Sequence, residues 1–110
     1  MRNIVLFCAA GMSTSLLVHK MKEAAEKENY ECKINAYALA STKDKGKDAD
    51  IILLGPQVRF SKAKVEKDCP GKIIECIDMQ VYGTMNGAKV IAQVKKKHWA
   101  IEFEHTIRGK

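Results

Sequence analysis

Cys8 ends an apolar run within the stretch LFCAAGMSTSLLV, residues 6–18. Its thiolate is the strongest nucleophile that this chain's side chains offer near neutral pH. The residues that follow, Ala9, Ala10, Gly11, Met12 and Ser13, bring no acidic group, and hydroxyls stand at Ser13, Thr14 and Ser15. Successive backbone N–H groups in a loop of this kind turn inward to form an anion nest. Gly11 permits backbone angles that other residues resist. A helix starting near Ser13 directs further free N–H groups and a partial positive charge at the same point. The hydroxyls can cap that helix or donate to an anion. Such a cradle favours negative charge on the sulfur, whether as thiolate or as an attached phosphoryl group. The competing reading is a buried cysteine that only closes a strand, and these residues alone leave both open.

The flanking elements decide where that sulfur stands. NIVLF (3–7) and IILLG (51–55) are short, almost wholly apolar runs, the pattern of strands buried on both faces, and KIIECI (72–77) reads as the fourth strand. ECKINAYAL (31–39) alternates in part and reads as a further strand. From Ser13 onward Leu17, Met21, Ala24 and Ala25 fall at helical spacing, and the helix is expected to stop near Glu28 or Asn29. PQVRFSKAKVEKDC (56–69) reads as a second helix, closed by Pro70 and Gly71, and AKVIAQVKKK (88–97) as a last one. ASTKDKGKDAD (40–50) is a polar loop with room for one helical turn, and DMQVYGTMNG (78–87) a loop rich in turn residues. Strands alternating with helices predict a parallel sheet covered on both faces. Four strands then take the order 2-1-3-4 in a three-layer, flavodoxin-like α/β sandwich. Ligands of such sheets bind at the C-terminal ends of the strands, and Cys8 ends an inner one.

Composition narrows the classes. A chain of 110 residues with 46% apolar content builds one core without a metal or disulfide staple. The expected unit is a single domain over 1–97, followed by a tail, 98–110, in which Trp99, Ile101 and Phe103 alternate like a strand while Trp99, Phe103 and Ile107 also keep helical spacing. No apolar run approaches the roughly 20 residues that span a bilayer, and no signal peptide is evident, so a cytoplasmic protein with no direct membrane insertion is expected. Cys8, Cys32, Cys69 and Cys76 show no C-x-x-C spacing, and with three histidines there is no zinc pattern; reduced thiols, no metal and no cofactor are expected. The net charge of +6 is dispersed, and sparse aromatics provide no stacking platform, which argues against nucleic acid. With no large apolar patch before the tail, a monomer is expected.

LFCAAGMSTSLLV closely resembles the phosphorylation loop of the IIB components of bacterial sugar phosphotransferase systems, in the lactose/cellobiose/chitobiose family. DADIILLGPQV (48–58), CIDMQVYG (76–83) and MNGAKVIAQVK (85–95) extend the resemblance over about residues 1–97. It implies a four-stranded parallel α/β domain whose loop cysteine, here Cys8, accepts a phosphoryl group from a phosphohistidine on the IIA partner. The group then passes to a sugar carried by the membrane component IIC. On this reading the cradle is Ala9 through Ser13 with Thr14 and Ser15, and Gly55, Pro56, Gln57, Asp78 and Tyr82 form its rim. The pattern points to cellobiose, related β-glucosides or chitobiose, with lactose also open. The tail after residue 97 departs from the family pattern.

Two rivals share the cysteine. Low-molecular-weight tyrosine phosphatases and arsenate reductases have this fold and a strand-1 cysteine, but the phosphatases clamp phosphate with an arginine six residues later, where this chain has Thr14. Asp78 alone, as a leaving-group acid, does not replace that clamp. A redox sensor would pair Cys8 with Cys76 at the same sheet edge; the plainer reading of Cys76 is a small apolar residue ending a buried strand. His19 reads as a helix-surface residue rather than a relay base.

Overall fold

The apolar runs form the strands. In the computed structural model, which describes residues 2–8 and 14–96, β1 (Arg2–Cys8), β2 (Cys32–Ala38), β3 (Ile51–Leu54) and β4 (Ile73–Cys76) make one sheet in the order β2-β1-β3-β4. Every pairing is parallel, with Cys8 opposite Ala38, Phe7 opposite Leu54, and Leu54 opposite Cys76. The ladder continues one step beyond the strands: Gly55 N–H donates to Phe7 C=O at 3.0 Å and Ile77 N–H to Leu54 C=O at 2.9 Å. Cys8 and Gly55 therefore stand side by side at the C-terminal edge.

Strand alternation divides the core into two layers. On one face Ile4, Leu6 and Cys8 pack with Leu17, Met21 and Ala25 of α1 (Thr14–Lys27) and with Val90, Ile91 and Val94 of α5 (helical over 87–96). On the other, Val5, Phe7, Ile52 and Leu54 meet Val58 and Val65, the latter on α3 (Lys62–Asp68). Leu17, Met21 and Ala25 recur every four residues, and all three are buried. This is the three-layer sandwich that the strand and helix alternation predicts. A short α2 (Thr42–Lys45) supplies the single turn expected in the polar loop.

Helix ends are set by local chemistry. α1 stops in a Schellman motif: Tyr30 N–H donates to Ala25 C=O at 2.9 Å, Asn29 N–H to Glu26 C=O at 3.1 Å, and Asn29 takes the left-handed conformation at φ 54°. The same device closes α4 (Met79–Gly83), with Met85 at φ 53° and Asn86 N–H on Val81 C=O at 3.0 Å. Asn86 then caps α5, its Oδ1 accepting from Lys89 N–H at 3.2 Å. Lys95 on α5 reaches Glu28 beyond the end of α1, Nζ to Oε1 2.9 Å.

Two expectations need correction. Residues 56–69 are not one helix: Pro56–Ser61 is a 3₁₀ segment with a non-helical Val58 (φ −121°), and α3 starts only at Lys62. Val58 N–H closes a tight turn on Gly55 C=O at 3.0 Å, which draws the chain back over the strand end before the α-helix begins. The stretch 78–87 is not all loop, since α4 occupies its first half. The expected tail, 98–110, lies outside the described residues, as do Ala9, Ala10, Gly11, Met12 and Ser13 of the expected cradle.

Candidate active site

Cys8 is the last residue of an inner strand, and the sheet's topology leaves the segment to α1 as the next stretch of chain. Because α1 returns along the sheet, its N-terminal N–H groups, from Thr14 and Ser15 onward, open at the same edge. Ser15 is exposed. The Cys8 side chain is 2% exposed and belongs to the core layer under α1.

Gly55 explains how the sulfur is accommodated. A methyl group in place of a Gly55 hydrogen would stand 3.0 Å from Cys8 Sγ and 2.8 Å from Gln57 Oε1. Its backbone is ordinary extended chain (φ −62°, ψ 153°), so glycine serves space rather than conformation here. Pro56 is buried beneath the turn, while Gln57 is exposed with its carboxamide folded back toward the strand end. Gly55, Pro56 and Gln57 thus stand at the Cys8 edge, where the rim was expected.

The other two rim residues take different places. Asp78 is the N-cap of α4: its Oδ1 accepts from Gln80 N–H at 2.8 Å and from Val81 N–H at 3.4 Å. Tyr82 is a correction, being 6% exposed and part of the core layer that contains Cys8, not a rim residue. Its hydroxyl has no hydrogen-bond partner among the described residues. Replacing Asp78 by alanine is expected to lower stability by about 1 kcal/mol through the lost cap. Phosphoryl acceptance, the activity that the resemblance implies, should stay within about twofold of wild type, a change of about 0.4 kcal/mol or less. A denaturant titration beside a phosphorylation assay checks both; a general acid would lose activity far in excess of stability.

The remaining thiols look away from this edge. Cys76 packs in the opposite core layer to Cys8, and β3 separates their strands. Two strand spacings come to about 10 Å, beyond the roughly 7 Å Cα separation that a disulfide tolerates. The rival redox pairing of Cys8 with Cys76 therefore fails in this fold, and Cys76 takes the plainer reading of a residue that ends a strand. Cys69 donates its S–H to Thr42 C=O at 3.3 Å; burial, then the neighbouring Asp68 charge, pushes its pKa up, so it stays a thiol. Burial also pushes Cys32 up. His19 is an exposed partner of Glu23 at 2.7 Å, one turn on along α1, as a surface residue would be.

One set of residues went unnoticed in the sequence. Leu16, Phe60 and Met79 are the exposed large apolar side chains among the described residues, at 48%, 82% and 67% exposure. They sit on the segments that follow β1, β3 and β4, all at the Cys8 edge. The readable signal was Phe60 itself, an aromatic set between Arg59 and Lys62 where a helix should face water.

Comparison with known proteins agrees with this geometry. The family model for the lactose/cellobiose-specific IIB subunit of the phosphotransferase system matches residues 3–93. The chain is 42% identical over 95 residues to the oligo-beta-mannoside-specific EIIB component of Bacillus subtilis (strain 168), covering 84% of this chain and 92% of that one. It is 44% identical over 96 residues to the galactose-specific EIIB component of Lactococcus lactis subsp. cremoris (strain MG1363), covering 81% and 89%. The cellobiose-specific EIIB component of Lactococcus lactis subsp. lactis (strain IL1403) matches with the same identity and coverage. Among solved structures, the lactose-specific IIB domain of Streptococcus pneumoniae shares the fold at TM-score 0.77 and 21% identity, over 86% of this chain and 95% of that one. The cellobiose-specific IIB protein of Borrelia burgdorferi superposes at TM-score 0.69 with 41% identity, over 83% and 85%. With its sheet order, its edge cysteine and these matches, the chain belongs to the lactose/cellobiose family of IIB subunits, the phosphocarriers of sugar phosphotransferase systems.

Proposed function

We propose that Cys8 carries the phosphoryl group, taking it from a phosphohistidine on a IIA protein and giving it to a sugar held by a membrane IIC component on the cytoplasmic side. The observation that carries this reading is the place of Cys8, last on an inner parallel strand, directly before α1 and against Gly55. The Cys8 thiolate attacks phosphorus; the S–P bond forms as the P–N bond breaks, and that electron pair returns to the imidazole. A sugar hydroxyl then attacks phosphorus, the S–P bond breaks, the pair returns to sulfur, and the hydroxyl proton leaves to a base outside this chain. Phosphoryl transfer asks mainly for in-line positioning and charge stabilisation. Among the described residues, the first N–H groups of α1 supply part of the cradle. Cellobiose or a related β-glucoside is the proposed sugar, in keeping with the cellobiose-specific relatives in Lactococcus lactis and Borrelia burgdorferi.

Intact mass tests the reading after incubation with phosphoenolpyruvate, the general phosphotransferase proteins and a IIA of this family. One phosphoryl group mapped to Cys8, chased off by IIC membranes plus cellobiose, is the expected result. Label on another residue, or none with an active IIA, overturns it.

The apolar side chains at the Cys8 edge are the proposed contact with these partners. Leu16, Phe60 and Met79 lie on the segments that leave the C-terminal ends of β1, β3 and β4, and exposed Arg59, Lys62, Lys64 and Lys67 stand near Phe60 in sequence. An exposed aromatic beside basic residues fits a partner that is apolar at the centre and acidic or phosphorylated at its rim. Phe60→Ser is expected to raise KM for phosphorylated IIA by about fivefold to tenfold, with stability held within about 0.5 kcal/mol. Raising salt from about 0.05 to 0.5 M should slow wild-type transfer by about tenfold. Initial-rate measurements check both, and rates indifferent to both changes would move the contact elsewhere.

A further inference from the structure

Gln57 is the polar side chain that the fold turns back on the sulfur. Gln57 Oε1 and Cys8 Sγ lie 2.8 and 3.0 Å from one common point, the place where a methyl group on Gly55 would sit. A phosphoryl oxygen stands about 3 Å beyond the sulfur that bears it, and a hydrogen bond spans about 3 Å more. The Gln57 carboxamide is therefore within reach of a phosphoryl oxygen on Cys8, and rotation of the amide by half a turn presents its NH₂ in place of the oxygen. We propose that Gln57 donates a hydrogen bond to the phosphoryl group on Cys8, holding it between arrival from the donor and departure to the sugar. This rests on the reading of Cys8 as the phosphoryl acceptor.

Three features place the donor. Gly55 is locked into the ladder beside Cys8 through Phe7 C=O and has no side chain to hold the two groups apart. Buried Pro56 fixes the backbone at the first residue of the turn, and Val58 N–H closes it on Gly55 C=O. The carboxamide is thereby folded back over the strand end although Gln57 itself is exposed. The choice of amide also fits a carrier. It donates to a dianion yet does not titrate, so it places no base beside the phosphocysteine to activate water. Gln57 lies beyond β3 and α1 follows β1, so the phosphoryl group receives donors from two separate elements.

The test uses the full chain and a IIA protein of this family charged from phosphoenolpyruvate. Gln57→Ala should shift the phosphoryl equilibrium between IIA and this chain toward IIA by about tenfold, the loss expected for a hydrogen bond to a charged group. Gln57→Glu should shift it further, because a carboxylate repels the phosphoryl oxygens. The ³¹P resonance of the phosphocysteine should move in both variants, which a merely structural role would not cause, while the melting transition stays in place. Gly55→Ala, which pushes on both groups, should move the same resonance. Wild-type equilibrium and ³¹P shift in Gln57→Ala and Gln57→Glu, with the phosphoryl group demonstrably on Cys8, would overturn the role of Gln57 alone. A wild-type chain that takes no phosphoryl group from an active IIA overturns the acceptor reading and this inference with it.

Discussion

Replacing Cys8 by serine is expected to abolish phosphoryl transfer, with a fall of about 10⁴-fold or more in the rate from IIA to sugar. The cause is chemical before it is structural. A thiol ionises within reach of neutral pH, whereas a hydroxyl does not, and the thiolate is both a strong nucleophile and a good leaving group. A relay needs both properties, because the group must arrive and depart at the same atom. Serine in this place is slow to accept the phosphoryl group, and any oxygen ester it forms is slow to release it. The fold should survive: Cys8 is 2% exposed, and burying a hydroxyl there costs about 1–2 kcal/mol, which a stable domain tolerates. Intact mass and coupled sugar-phosphate assays on Cys8→Ser and Cys76→Ser give the contrast. Cys76 faces the other core layer, so its serine variant is expected to keep full transfer. Loss of activity in Cys76→Ser without loss of stability would bring back a role for the second thiol. Residual sugar phosphorylation in Cys8→Ser near the wild-type rate would remove the relay itself.

Much of the positioning is legible in the sequence. NIVLF and IILLG are apolar at nearly every position because β1 and β3, the inner strands, are covered on both faces; a strand with one face in water would alternate instead. The stop of α1 was visible in Asn29, one of the few side chains that tolerate the left-handed conformation the Schellman motif needs. What escaped were short elements and lateral contacts. α4 is five residues long, too short for helical periodicity, although Asp78 three residues before Val81 was a readable cap. The break at Val58 was invisible because 3₁₀ and α spacings coincide over one turn. Tyr82 was placed on the rim by the resemblance, in a stretch read as loop, but it lies on α4 and packs in the core layer that holds Cys8. The meeting of Gln57 with Cys8 depends on the register between β1 and β3, Phe7 opposite Leu54, which no spacing within either segment records.

Gly87→Ala should be the most damaging single methyl group in the described fold, costing about 3 kcal/mol and lowering Tm by about 10–20 °C. Its added Cβ would stand 2.3 Å from the carbonyl carbon of Lys20, 2.5 Å from that carbonyl's oxygen and 2.5 Å from Met21 N. These are backbone atoms in the middle of α1, so no side-chain rotation relieves the overlap and the two helices must separate. The site is held from both ends. Met85 in the left-handed conformation and the Asn86 cap set the start of α5, while Val90, Ile91 and Val94 bury against the layer that holds α1. Gly83→Ala is the matched control, since a Cβ there meets nothing within 4 Å, and it should be neutral or stabilising by up to about 1 kcal/mol. The consequence also reaches the chemistry, because α1 carries the N–H groups aimed at the Cys8 edge. A helix displaced by about 1 Å from its place loses alignment worth up to about 10²-fold in rate. Below its lowered Tm, Gly87→Ala should therefore transfer phosphoryl groups more slowly than its folded fraction accounts for. Denaturant titrations paired with phosphorylation rates at low temperature separate the two effects. A Gly87→Ala chain with wild-type stability would show that α1 and α5 do not meet at backbone distance, and a rate that simply tracked the folded fraction would detach the α1 position from transfer.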